Sequence, residues 1–255
     1  MPSTVKPATM IRSSDAGVTF RQRFTPETAS LEFLSCGVYE VPPGAISQHI
    51  CLPREEALLF QWEESSRVQV DGKEFSLSNY DTLYVPRGAE FRLSNPGVEA
   101  ARLVQCSAPA VNVHPVFHSQ FAEFSQMEER IRRLKGKDVY LMFDVTEQAD
   151  KLVAGYTFFQ PYARSWPPHN HTDQEEVYVF IQGHGAMEVY ESPETLSFVH
   201  SVHKGDMVTI PYLNYHPVFS QEDPLHFIWC IAGERYWVGD RNKDFMSGGT
   251  LPITT

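Results

Sequence analysis

An all-β fold of two tandem barrels, joined by a short helical linker, is what this sequence predicts. Three observations carry the prediction. Short apolar segments broken by turn residues fill both halves, a more polar stretch separates them, and one strand–turn–strand pattern recurs in each half. A chain of 255 residues, 42% hydrophobic and 13% aromatic, has enough apolar material for two small cores.

The first half supplies LEFLSCGVYEV, SRVQVDG, KEFSLS, DTLYVP and EFRLS between Phe20 and Ser107, with turns at Asp71-Gly72, Asn79 and Arg87-Gly88. The second runs from about Asp138 to Gly239 as VYLMFDV, LVAGYTFF, EEVYVFI, AMEVYE, SFVHSV, DMVTIP and HFIWCIAG. Between them, Phe121, Phe124, Glu128, Ile131 and Lys135 fall at helical spacing, which predicts a linker helix ending near Gly136. The divisions expected are 1–110, 111–137 and 138–255. DTLYVPRGAEFRLSN and DMVTIPYLNYHPVFS share a hydrophobic strand, a proline turn and a return strand, as a duplicated barrel would.

Charge and termini narrow the function. A net charge of -11 repels phosphate backbones, so nucleic acid is excluded as a partner, and an acidic small molecule needs local cations to bind. No apolar run is long enough for a membrane span. MPSTVKPATMIRSSDAG has no apolar core before a cleavage site, so a cytoplasmic location is expected. Cys36, Cys51, Cys106 and Cys230 form no CxxC pair and read as buried free thiols.

The chemistry is concentrated in PPHNHTDQEEVYVFIQG and KGDMVTIPYLNYHPVF. His169 and His171 are two apart, so in a strand both imidazoles face one side. Glu176 and the alternating Tyr178 can share that interior, and His216 opens a return strand after Pro211. Three neutral imidazoles and a carboxylate suit zinc, iron(II), manganese, nickel or copper(II), with a position left open. For four such groups in two motifs, one divalent metal per chain is a better reading than ordinary core histidines, because a buried, unpaired Glu176 would be costly.

These stretches resemble the paired motifs of the cupin superfamily, which implies double-stranded β-helix (jelly-roll) barrels. His169, His171, Glu176, Gly183, Gly205, Pro211 and His216 match, whereas Leu213 stands at a motif glycine and Ser220 at a motif asparagine. The first half keeps Pro86, Gly88 and Asn95 but has Phe91 at the ligand position, and AISQHICLPREEALLFQW lacks an HxH. That half is expected to be metal-free and to serve as scaffold and interface.

HNHTDQEEVYVFI, NYHPV and HFIWCIAGERYWVGD, with DTLYVPRGAEFRL and VQCSAPA, resemble segments of the bacterial sugar-acid isomerase family that contains 5-dehydro-4-deoxy-D-glucuronate isomerase and 5-deoxy-glucuronate isomerase. The resemblance implies a homo-oligomeric ketol-isomerase of a deoxy- or keto-hexuronate, with a divalent metal, commonly zinc. A base is then required, and Glu188, Tyr178 and Tyr190 are the candidates. Arg164 and Arg235 are candidates for the substrate carboxylate, and Trp166 for an apolar wall. A cupin dioxygenase using the same three-histidine, one-glutamate site, or a non-catalytic sugar-binding cupin, remains open on the residues alone.

Overall fold

A computed structural model describes residues 10–11, 17–165, 168–192, 194–241 and 250–252. Their strands form four antiparallel sheets, two in each half. In the first half the sheet order is Met10–Ile11, Thr19–Phe24, Ser35–Val41, Ala101–Pro109, Glu55–Glu63, Thr82–Val85 and Phe117–Ser119. Its companion sheet is Ile50–Cys51, Glu90–Ser94, Ser66–Val70 and Lys73–Leu77.

The second half repeats the plan. One sheet runs Ile131–Leu134, Lys137–Phe143, Leu152–Phe159, Leu225–Gly233, Gln174–Gln182 and Met207–Ile210. The other runs Thr195–His203, His184–Ser192, Val218–Ser220, Ala163–Ser165 and Thr250–Pro252.

Three cores hold these sheets. Leu59, Val68, Phe91 and Leu93 fill the first barrel, and Leu141, Phe180, Met187 and Trp229 fill the second. The third core joins the halves, packing Leu58, Phe60, Val104 and Cys106 against Val177, Val179, Ile228 and Cys230. The central strands are therefore buried on both faces, which is why EEALLFQW and EEVYVFIQ read as unbroken runs rather than alternations. Each fully buried aliphatic or aromatic side chain there contributes roughly 2 kcal/mol. Cys36, Cys106 and Cys230 are buried thiols as expected, but Cys51 is exposed.

The linker differs from expectation. Only Phe121–Phe124 forms an α-helical turn; Glu128–Arg130 is a 3-10 turn, and Ile131–Leu134 is a strand paired with Lys137–Phe143. Three apolar residues in five helical positions are a weak driving force for a helix. Extending instead gives Ile131 a buried place and a ladder of partners on the second barrel's first sheet. The second barrel's strands thus begin at Ile131, inside the segment read as linker.

Candidate metal centre

Glu176 and Tyr178 lie on the interior face of Gln174–Gln182, paired with Ile210 and Val208 on one side and Ile231 and Trp229 on the other. His169 and His171 precede this strand in an extended segment that is not itself a strand. Backbone bonds take the ladder's place: Leu213 N–H donates to the His171 carbonyl at 2.7 Å, and His216 N–H to that of His169 at 3.3 Å. Leu213 adopts φ 66°, the left-handed conformation that suits the glycine usual at this motif position. Its exposed side chain points away, and the turn survives without the glycine.

The four side chains are buried and converge, with one donor atom of each within 4.8 Å of every other. His171 Nε2 and His216 Nε2 each lie 3.1 Å from the same oxygen, Oε2 of Glu176. The chemistry of this donor set fits a metal. His216 Nδ1 is 2.7 Å from the Asn214 carbonyl, so the proton belongs on Nδ1 and the Nε2 lone pair faces a carboxylate oxygen. Two buried acceptors at that separation repel unless a cation sits with them. Burial, with the neighbouring His216, His171 and Lys137, holds His169 well below the usual histidine range, so it offers a neutral nitrogen. Burial disfavours the Glu176 carboxylate, but its contacts, the one with His171 foremost, hold its pKa below the ordinary carboxylate value.

A cavity of about 40 Å³ opens beside these residues, walled by Phe159, Val218, Phe227, Trp229 and Ile231. Tyr178 borders it, 5.7 Å from His216 between ring centroids. Burial and the adjacent Glu176 push the Tyr178 phenol well above its ordinary range, so it is an O–H donor rather than a base.

The first barrel lacks every one of these groups. Its strand Glu55–Glu63 pairs Ala57 with Val85 as Glu176 pairs with Ile210, so Ala57 stands at the glutamate position. The same offsets put Ile50 and Leu52 at the paired histidines and Phe91 at the last one, all packed into its core. Among the described residues, Glu56, His114 and Asp150 also cluster closely. Glu56 accepts from Tyr84 Oη and the N–H groups of 150–152, and Asp150 from those of Val111 and Asn112, which leaves little capacity for a cation.

The model of the KduI/IolB family matches residues 9–246. The chain belongs to that family. Among its relatives is the 4-deoxy-L-threo-5-hexosulose-uronate ketol-isomerase of Opitutus terrae, 23% identical over 197 residues, 75% of this chain and 72% of that protein. The 5-deoxy-glucuronate isomerase of Halalkalibacterium halodurans is 24% identical over 252 residues, covering 87% and 90%. In fold the chain is similar to an IolB-like protein from Salmonella typhimurium, TM-score 0.72 at 20% identity over 92% of this chain and 94% of that one. Oxalate decarboxylase from Bacillus subtilis superposes with TM-score 0.73 at 16% identity, covering 100% and 88%. The fold is a cupin fold.

Several expected site residues of this KduI/IolB member lie elsewhere. Ala163 belongs to the barrel core and Ser165 to the cavity wall, so Arg164 between them faces the other side of its sheet. Pairing through Phe219 and Ala186 carries that face to Glu188 and Tyr190. There Arg164 Nη2 donates to Glu188 Oε2 at 2.5 Å and to Tyr190 Oη at 2.8 Å, and Tyr190 donates to Glu188 at 3.1 Å. None of these three side chains is among those that line the cavity. Arg235 is also spoken for, donating to the carbonyls of Leu152 at 3.0 Å and Asp144 at 2.5 Å. Trp166 lies outside the described residues.

The cavity instead contains Lys137, which sequence reasoning passed over. Its ammonium donates to Ser165 Oγ at 2.5 Å and lies 5.3 Å from the centre of the Phe159 ring. Burial lowers its pKa to about 7, against the pull of Glu176. The signal was available: Lys137 is in phase with the inward Val139 and Leu141 along its strand.

Proposed function

We propose that this chain is a metal-dependent ketol-isomerase of a deoxy- or keto-hexuronate-like acid, with one zinc ion held by His169, His171, Glu176 and His216. The observation that carries the reading is the convergence of those four side chains beside a small, largely apolar-walled cavity. Support for the substrate class comes from the family and from the two relatives whose names specify uronate isomerisation.

A bound divalent ion there would polarise a substrate carbonyl and acidify the neighbouring C–H. The chain's own groups do the rest. The imidazoles and Glu176 present a preorganised donor set, with His216 aimed by the Asn214 carbonyl. Tyr178 supplies an O–H and Lys137 an N–H at the cavity wall. Phe159, Phe227 and Ile231 keep water away while a proton moves between adjacent carbons.

The experiment is anaerobic incubation of metal-loaded protein with a panel of uronates, deoxy-uronates and neutral hexoses in D2O, read by NMR. Isomerisation of an acid sugar without oxygen is expected, with deuterium entering the carbon next to the carbonyl. A need for dioxygen, or turnover confined to a neutral sugar, would overturn the isomerase reading in favour of another metal-cupin reaction.

A further inference from the structure

We propose that Lys137 is the side chain that binds the second oxygen of the reacting α-hydroxycarbonyl unit, the oxygen on the carbon next to the carbonyl. This rests on the isomerase reading and names the protein group that would touch the part of the substrate not facing the histidines.

Three observations converge on it. Lys137 is only 6% exposed, and it shares one cavity with His169, His171, Glu176 and His216. Burying an ammonium is costly, and a methionine of similar length would fill the space against Phe159 without that cost, so retention of an N–H donor there calls for a use. A second donor lies on the same wall: Trp229 Nε1 is buried with no hydrogen-bond partner, on a side chain 3% exposed. The indole packs against Gly155, where an added Cβ would come within 2.8 Å of Cζ2. Two N–H donors therefore border a space whose other polar lining is the four converging ligands and the hydroxyls of Thr157, Ser165 and Tyr178.

The size of that space selects the part of the substrate. About 40 Å³ accommodates a few water-sized groups and not a hexose, so only the reacting end of the sugar fits beside the ligands as the cavity stands. That end carries two adjacent oxygens. The isomerisation moves one proton between the two carbons and one between their oxygens: a C–H bond breaks, its electron pair forms the enediol double bond, and the former carbonyl oxygen gains a proton. In the second half the other carbon is protonated and the former hydroxyl oxygen loses its proton to become the new carbonyl. No oxidant or reductant is consumed. Negative charge develops on the second oxygen as it gives up its proton to become the new carbonyl, and a buried N–H donor stabilises it there far more than water would.

The test uses the full-length protein loaded with cobalt(II), whose visible spectrum reports binding without turnover. Two probes are titrated: acetohydroxamate, which presents two adjacent oxygens, and imidazole, which needs only an open metal position. Lys137→Met is expected to keep its metal and its imidazole affinity and to weaken acetohydroxamate about tenfold or more, with Lys137→Gln intermediate. Unchanged acetohydroxamate affinity in Lys137→Met overturns the proposal. Should Lys137→Met lose metal or fold, Ser165→Ala serves instead: removing the hydroxyl that seats the ammonium is expected to weaken acetohydroxamate several-fold with imidazole unaffected, and no change overturns the proposal. The isomerase reading fails separately. Probe binding through Lys137 without turnover of any uronate would sink that reading alone, whereas wild-type kcat and KM for a uronate in Lys137→Met would sink this one alone.

Discussion

Glu56 in the first barrel and Glu175 in the second make the same contact in opposite directions. Glu175 accepts hydrogen bonds from the backbone N–H groups of Glu32, Phe33 and Leu34, and Glu56 accepts them from Asp150, Lys151 and Leu152. Each carboxylate thus clamps the chain leading into a strand of the other half. Glu175 is also the neighbour of Glu176, so the first barrel grips the strand that carries one residue of the candidate metal centre.

Glu175→Gln and Glu56→Gln keep the shape of the clamp but remove its charge. Each is expected to cost about 1–3 kcal/mol, a fall in Tm of roughly 3–10 °C. Scanning calorimetry checks this. A Tm within a degree of wild type would mean that the clamps are incidental.

One metal per chain is expected on elemental analysis, because Ala57, Phe91, Ile50 and Leu52 occupy the corresponding positions of the first barrel. Two equivalents that survive dialysis would contradict this.

His171→Ala should lose the metal and the activity together while retaining a β-type circular dichroism spectrum. The second barrel has an apolar core of its own, including Leu141, Phe180 and Met187, unlike a small zinc-dependent fold. A global loss of β signal would show that the metal also holds the barrel together.

Acid should unfold the protein partly through two carboxylates. At Asp150 burial opposes ionisation, but the N–H groups of Val111 and Asn112 and the His114 contact win and depress its pKa below the ordinary 3.8. At Glu147 burial is likewise outweighed, by Arg130 and the Asp144 N–H, and its pKa falls below 4.5. For a depressed carboxylate the stabilisation is fully present above the unfolded-state value and is lost as pH falls toward the folded-state one. Denaturant midpoints should therefore hold above about pH 5 and fall below about pH 4, with a shallower fall in Asp150→Asn and Glu147→Gln. An unchanged acid slope in both variants would exclude these groups.

Arg235→Ala should destabilise by roughly 2 kcal/mol, since it strands the carbonyls of Leu152 and Asp144. The surviving folded fraction should keep its substrate KM. A raised KM at unchanged Tm would return Arg235 to substrate binding.

The converging His/Glu cluster was legible in the sequence because it is set by local offsets: two positions from His169 to His171, five more to Glu176, and a proline turn before His216. The two barrels were legible for the same reason, since turn chemistry and strand length repeat in each half. Tertiary structure decided what local pattern cannot. Period-two alternation says which residues of a strand share a face, but when both faces are buried it does not say which one meets the ligands. That is how Glu188 and Tyr190 come to face Arg164 on the far side of their sheet, while Lys137, placed at the edge of a polar linker, turns inward in phase with Val139. Arg235 was undecidable in sequence because its partners are backbone carbonyls at 144 and 152, which any residue type can offer. The linker helix gave way to a strand at Ile131 because a few helical contacts compete poorly with a sheet edge that exists only once the second barrel has folded.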